Sequence, residues 1–214
     1  MIIVKKSAEL VNPPLYKTLL NTVERAARNC YQSEDKIADG SAEKIVRFLI
    51  NNKHFSMLEF ANLTFKMVMD RATAMQLTRH RMCTFAIEST RYCNYNKTGE
   101  IKVIAPEGLN DSAYDTWYTS MIMAEVTYMS LIQEEKMPAE VARSVLPQCL
   151  ATTVFMHTNV RELRHILSLR LDKHAQKDIR VLMQDLLSLV YNMYPVFFED
   201  IYVEYIIDEN ECIH

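Results

Sequence analysis

Arg79-His80-Arg81 is followed, after seven intervening residues, by Ser89-Thr90-Arg91-Tyr92. Three arginines, a histidine, a serine and a tyrosine therefore fall within fourteen positions of a chain whose formal net charge is −3. Fixed positive charge gathered this tightly in an acidic chain points to a bound anion. Arginine suits phosphate and carboxylate because its planar fork meets their oxygens two at a time. A second cluster comprises Arg161, Arg164, His165 and Arg170; the spacings of three and four put the first three on one helical face. Together with Arg143, these groups favour a phosphorylated small molecule or cofactor over arginines paired on a solvated surface. A third patch, Lys53-His54-Phe55-Ser56-Met57-Leu58-Glu59, brings a His, a Ser and a Glu together, although alone it reads more simply as a capped turn.

These groups need elements to hold them. Ile2 to Lys5 reads as a short strand, and Pro13-Pro14 open a helix with Leu15, Leu19, Val23 and Ala26 at helical spacing. Ser41 is placed to cap a second helix carrying Ile45, Val46, Leu49 and Ile50. Over residues 60 to 69 the period changes to two: Ala61, Leu63, Phe65, Met67 and Met69 are apolar at alternate positions, the pattern of a half-buried strand. Arg71 to Thr78 returns to helical character, so the Arg-His-Arg run falls at or just past a helix end. Residues 101 to 105 form another strand candidate, closed by turn signals at Pro106, Gly108 and Asn110-Asp111.

From Ser112 onward the chain reads as mostly helical. Asp111 or Ser112 caps a helix to about Glu135, Pro138 opens a short one through Arg143, and Asn159 with Glu162 has capping-box spacing. Asp172 is read as the cap of a further helix burying Ala175, Ile179, Leu182, Met183, Leu186 and Val190. The expectation is one α+β domain over 1–214, helix-rich with a small, mainly antiparallel sheet.

Composition narrows the chemistry. The three glycines, Gly40, Gly99 and Gly108, stand far apart, so there is no dinucleotide or Walker glycine loop. Any phosphate is met by side chains. The acidic balance argues against a general nucleic-acid binder, and no apolar run approaches membrane-spanning length. The first ten residues have the wrong charge order for a secretory signal, which favours the cytoplasm. Five cysteines (Cys30, Cys83, Cys93, Cys149, Cys212) form no C-x-x-C pair, and His157, His165 and His174 lack metal-ligand spacing. Buried free thiols and no metal are expected.

The segments His54-Phe55-Ser56-Met57-Leu58-Glu59, Gln76-Leu77-Thr78-Arg79-His80-Arg81 and Ser89-Thr90-Arg91-Tyr92 resemble the flavin-dependent thymidylate synthases, the ThyX family. That family's signature is Arg-His-Arg, seven residues, Ser. Ala142-Arg143-Ser144-Val145-Leu146-Pro147, Asn159-Val160-Arg161-Glu162-Leu163, Leu169-Arg170 and His174-Ala175-Gln176 follow in the family's order, so the resemblance runs from about His54 to Arg180. Two departures stand out. Ala86-Ile87-Glu88 occupies the place where many members have Asn-Glu before the motif serine, and His165 stands where asparagine is frequent.

The resemblance implies conversion of dUMP to dTMP, with methylenetetrahydrofolate as one-carbon donor and NADPH as reductant through FAD. It also implies a homotetramer with active sites shared between subunits. FAD contacts carry over to Ser56, Arg79, His80, Arg81, Glu88, Asn159, Arg161 and His165. Nucleotide contacts carry over to Gln76, Arg79, Glu88, Ser89, Thr90, Arg91, Arg143 and Arg170, with His54 near flavin and folate. Arg170, Ser89 and His54 are the candidate catalytic residues. Arg170, always protonated, would stabilise the charge that develops on the uracil ring as C5 attacks. Ser89 is read as a hydrogen-bond donor to the nucleotide, since a hydroxyl without an activating base is a weak nucleophile. Cys149, in Leu146-Pro147-Gln148-Cys149, superficially resembles the nucleophile of cysteine-using synthases and is read as structural. The competing readings are another flavin or nucleotide oxidoreductase on the same scaffold, an RNA- or nucleotide-binding module using Tyr92 and Tyr95, and a helical structural protein.

Overall fold

A computed structural model describes residues 1–211, with side chains described through Tyr205; Cys212 lies outside the described residues. The strands are β1 (Ile2–Ile3), β2 (Ser7–Leu10), β3 (Asn62–Asp70), β4 (Thr84–Ile87), β5 (Lys102–Val103) and β6 (Ala151–Asn159). The helices are α1 (Tyr16–Asn29), α2 (Ser41–Asn51), α3 (Arg71–Leu77), α4 (Asp111–Gln133), α5 (Ala139–Ala142), α6 (Val160–Leu171), α7 (Lys177–Met193) and α8 (Pro195–Glu211). A four-stranded antiparallel sheet has the order β2-β3-β6-β4, and a parallel pair joins β1 to β5 through Ile2↔Lys102 and Ile3↔Val103. The α+β class expected from the sequence holds.

β3 follows its alternation: Leu63, Phe65, Met67 and Met69 are buried while the residues between them are partly exposed. β6 departs from the mostly helical reading of the second half, in which no strand was expected. Its Thr152, Val154, Met156 and Thr158 are buried, and the β-branched run Thr152-Thr153-Val154 is the local signal that favours a strand. β2 and β4 also form where no strand was expected.

Helix ends correct several expected caps. Gly40, at φ 73°, occupies the N-cap position of α2, and the Ser41 hydroxyl instead accepts from the Ala38 amide and donates to Glu24. Asn110, one residue earlier than expected, caps α4 by accepting from the Ala113 amide at 2.9 Å. Asp172 closes α6 and does not open α7, whose N-cap position is Gln176; its carboxylate accepts from the His174 amide at 2.7 Å. The thiol expectation also shifts. Cys30 is exposed, and Cys83, Cys93 and Cys149 are only half-buried.

The chain divides into two compact units. The first takes 1–7, 67–79 and 85–155; the second takes 8–66, 80–84 and the chain from Met156 onward. In the first, Ile101, Val103, Tyr128, Ala142 and Leu150 form a core over which Trp117, Met121 and Ile132 pack. In the second, α1, α2, α6, α7 and α8 pack together around Val23, Val46, Leu163, Leu167, Leu182 and Phe197. No described helix is long and apolar enough to cross a membrane.

Candidate active site

In the first unit, Asp70 builds the start of α3. Its buried carboxylate accepts from the Thr73 amide at 2.7 Å and from the Thr73 hydroxyl at 2.6 Å. The helix carries Gln76, half-buried, and ends just before exposed Arg79. β4 then delivers Glu88 to the turn of Ser89, Thr90 and Arg91. The Glu88 amide donates to the Thr153 carbonyl at 3.0 Å, and its carbonyl accepts from the Arg71 guanidinium at 3.4 Å. Its carboxylate accepts from the Tyr95 hydroxyl at 2.7 Å. Burial, followed by the bond to the Glu88 carboxylate, pushes the Tyr95 phenol far above its usual range and keeps it protonated.

The Ser89 oxygen accepts from the Arg91 amide at 3.3 Å, which makes it a turn-forming group in this structure. Arg143, in a short 3₁₀ turn after α5, reaches the Thr90 hydroxyl at 3.4 Å. Arg91 lies over the Tyr92 ring and pairs with Glu140 on α5 at 3.0 Å. The first unit thus brings together Glu88, Ser89, Thr90, Arg91 and Arg143, a group rich in donors around one turn.

In the second unit, Asn159 caps α6 by accepting from the Glu162 amide at 2.8 Å, as its spacing implied. Arg161 is exposed and pairs with Glu59 at 2.5 Å. His54, also exposed, meets Phe48 edge-on with ring centroids 6.1 Å apart, and Ser56 lies exposed in the 3₁₀ turn Phe55–Phe60. Arg81 is exposed, whereas His80 is buried. The His80 Nε2 accepts from Arg170 Nε at 3.0 Å, and its Nδ1 faces Glu162 at 3.6 Å. Burial, then the positive charge of Arg170, with His165 a smaller neighbouring influence, lowers the His80 pKa to about 4, so the ring is neutral at physiological pH.

Arg164 breaks from the cluster to which its spacing assigned it. It is buried and meets Asp200 with both Nη groups, at 2.8 and 2.6 Å, and the Phe197 carbonyl at 2.5 Å. Its guanidinium also lies 5.4 Å from the centre of the Phe55 ring. This arginine holds α6 to α8. A cleft of about 850 Å³ runs beside it, lined by Phe55, Arg161, His165, Ser168, Leu171 and Tyr205 among others. That volume falls within the usual range for ligand sites. Sequence reasoning missed Phe55, Ser168 and Leu171 as cleft walls, because apolar and small side chains carry no chemical mark. No cluster of His, Cys, Asp or Glu among the described residues could hold a metal ion.

Cys149 is half-buried beside Met121, its Sγ 3.1 Å from the Met121 Sδ. Burial pushes its thiol pKa up, opposite to what an activated nucleophile needs.

The family model described as thymidylate synthase complementing protein, Thy1, matches residues 16–196. The chain belongs to that family. A flavin-dependent thymidylate synthase of Geobacter sulfurreducens is 31% identical over 186 residues, covering 83% of this chain and 80% of its own length. That of Mycolicibacterium gilvum is 30% identical over 208 residues, covering 88% and 82%. Two solved structures share the Thy1 fold. The UMP/dUMP methylase PolB of Streptomyces cacaoi, bound with 5-bromo-dUMP, superposes with a TM-score of 0.79 at 24% identity, over 93% of this chain and 96% of that one. Thymidylate synthase X of Helicobacter pylori, with FAD and dUMP, gives 0.75 at 20% identity, over 92% and 98%.

Proposed function

We propose that this chain is a flavin-dependent thymidylate synthase: it methylates dUMP to dTMP with FAD as cofactor, methylenetetrahydrofolate as one-carbon donor and NADPH as reductant. The observation that carries the reading is the Thy1 match across residues 16–196, which includes both arginine clusters. One functional domain over 1–214, a homotetramer with shared active sites and a cytoplasmic location are parts of the same reading.

FAD fits the residues present. A flavin needs flat apolar surface for its ring and cations for its pyrophosphate, and a chain without a glycine loop must provide those cations from side chains. The second unit's cleft offers Phe55 and Leu171 beside Arg161 and His165. Ser56, Arg79, His80, Arg81, Glu88 and Asn159 complete the expected set. When bound, the flavin supplies the hydride that reduces the transferred carbon to a methyl group.

The chain's own residues bind, orient and stabilise. Arg91 and Arg143, with Ser89 and Thr90, suit the nucleotide phosphate, because guanidinium forks and hydroxyls converge on one turn. In this reading Gln76 and Arg79 orient the nucleotide, and His54 faces flavin and folate. The uracil attacks the methylene carbon from C5 in an electron-rich, enolate-like form whose negative charge is spread over N3 and O4. Arg170 stabilises that charge without exchanging a proton. The reducing electrons come from NADPH, so the folate leaves as tetrahydrofolate, with no hydride taken from it.

The test is turnover by purified protein reconstituted with FAD and supplied with dUMP, methylenetetrahydrofolate and NADPH. The expected products are dTMP and tetrahydrofolate in equal amounts. Release of dihydrofolate, failure to bind flavin, or methylation of UMP with none of dUMP would each overturn the reading.

A further inference from the structure

His80 has a role that a flavin contact does not account for. Its side chain is 5% exposed, and both ring nitrogens face α6. Nε2 lies 3.0 Å from the Arg170 Nε. Arginine has no acceptor and does not lose its proton, so the histidine must accept. Nε2 therefore carries no hydrogen, and the ring's single proton is on Nδ1. That nitrogen lies 3.6 Å from a Glu162 carboxylate oxygen, too far for a direct hydrogen bond but close enough for the negative charge to favour the proton there. Asn159 fixes the first turn of α6 and thereby the position of Glu162.

Resting on the reading of Arg170 given above, we propose that Glu162 and His80 form a positioning relay for that arginine. The carboxylate holds His80 in its Nδ1-protonated neutral tautomer, and the bare Nε2 sets the plane of the Arg170 guanidinium through its Nε–H. A guanidinium is rigid and planar, so one directional bond at Nε fixes how the rest of the fork is presented. Electrostatic catalysis depends on that orientation being in place before charge develops. The groups facing His80 are Arg170, Glu162 and, with ring centroids 6.1 Å apart, His165. Burial, then the fixed charge of Arg170, lowers the ring's pKa to about 4, so the acceptor persists throughout the physiological range. Glu162 and His80 are positioning residues; neither needs to touch the uracil.

The experiment has a kinetic arm and a spectroscopic arm, both on the full-length, flavin-loaded protein. His80→Ala is expected to lower kcat on the order of 10- to 100-fold, with the dUMP KM changed by less than about threefold. His80→Gln places an amide oxygen where it can accept from Arg170 and has no tautomer to choose, so it recovers most of the loss. Glu162→Gln alone lowers kcat by about tenfold, and adds no further loss in the His80→Gln background. Equal losses in the Ala and Gln variants, or additive losses in the double variant, would overturn the relay. In the second arm, nitrogen-15 NMR of histidine-labelled protein, assigned by difference with His80→Gln, is expected to show a neutral, Nδ1-protonated His80 at pH 7. A cationic or Nε2-protonated ring overturns the relay whatever the enzyme makes. A parent protein that produces no dTMP overturns the functional reading instead, and leaves the tautomer result standing.

Discussion

Replacing Arg164 by Met tests whether this arginine braces two helices or binds an anion. Met keeps an apolar stem over Phe55 and removes the charge. Three hydrogen bonds are lost, two to Asp200 and one to the Phe197 carbonyl. The Asp200 side chain is 48% exposed, so water screens that pair and its two bonds together amount to about 1–1.5 kcal/mol. The buried bond to the Phe197 carbonyl adds about 1 kcal/mol, and the cation over Phe55 about 0.5 kcal/mol. The expected loss is therefore about 3 kcal/mol, or a fall in Tm of roughly 6–12 °C for a chain of this size. The assay is thermal and urea unfolding at matched protein concentration, because assembly shifts apparent stability. Acid provides a second reading. Burial raises the Asp200 pKa, but the Arg164 contacts outweigh it and the net shift is downward. A carboxylate lowered in the folded state contributes fully above its unfolded pKa of about 3.9, and that contribution fades as pH falls through the folded value. The gap between parent and Arg164→Met should therefore hold down to about pH 4 and narrow below it. A variant within 0.5 kcal/mol of the parent at pH 7 that has lost flavin would refute the bracing role and return Arg164 to the anion site.

Arg170→Ala should lower kcat by on the order of 100-fold or more, measured by dTMP formation, and Arg170→Lys should restore only part of it because a point charge cannot reproduce the planar fork. Cys149→Ala should keep parental kcat. Iodoacetamide should label exposed Cys30 well before the raised-pKa thiol of Cys149, as read by peptide mass mapping. Asp70→Ala removes two accepting contacts at the start of α3 and should cost about 2 kcal/mol in urea unfolding, with a raised dUMP KM because Gln76 and Arg79 follow from that helix.

Local signals survived into the structure where one rule governed them. The alternation of β3 needed only a buried face, and the Asn159 cap needed only its own side chain and an amide three residues on. Longer-range partners decided the rest. Arg161 and Arg164 are three apart and look equivalent in sequence, yet one is exposed beside Glu59 and the other buried against α8. Nothing near residue 164 announces Asp200. β6 was hidden by its surroundings: its β-branched residues lie between helical segments, and its ladder partners β3 and β4 are distant in sequence. The Arg170–His80 bond joins residues 90 apart, so the sequence placed both near the chemistry but gave no account of their contact.

The Glu88–Tyr95 bond has an evolutionary corollary. An uncharged side chain at position 88 would leave the phenol at position 95 without this acceptor; with the carboxylate present, losing the phenol strands it in a partly enclosed place. Either replacement alone disturbs the turn carrying Ser89, whereas replacing both restores a consistent pair. Positions 88 and 95 should therefore behave as one heritable character, changing in step across lineages.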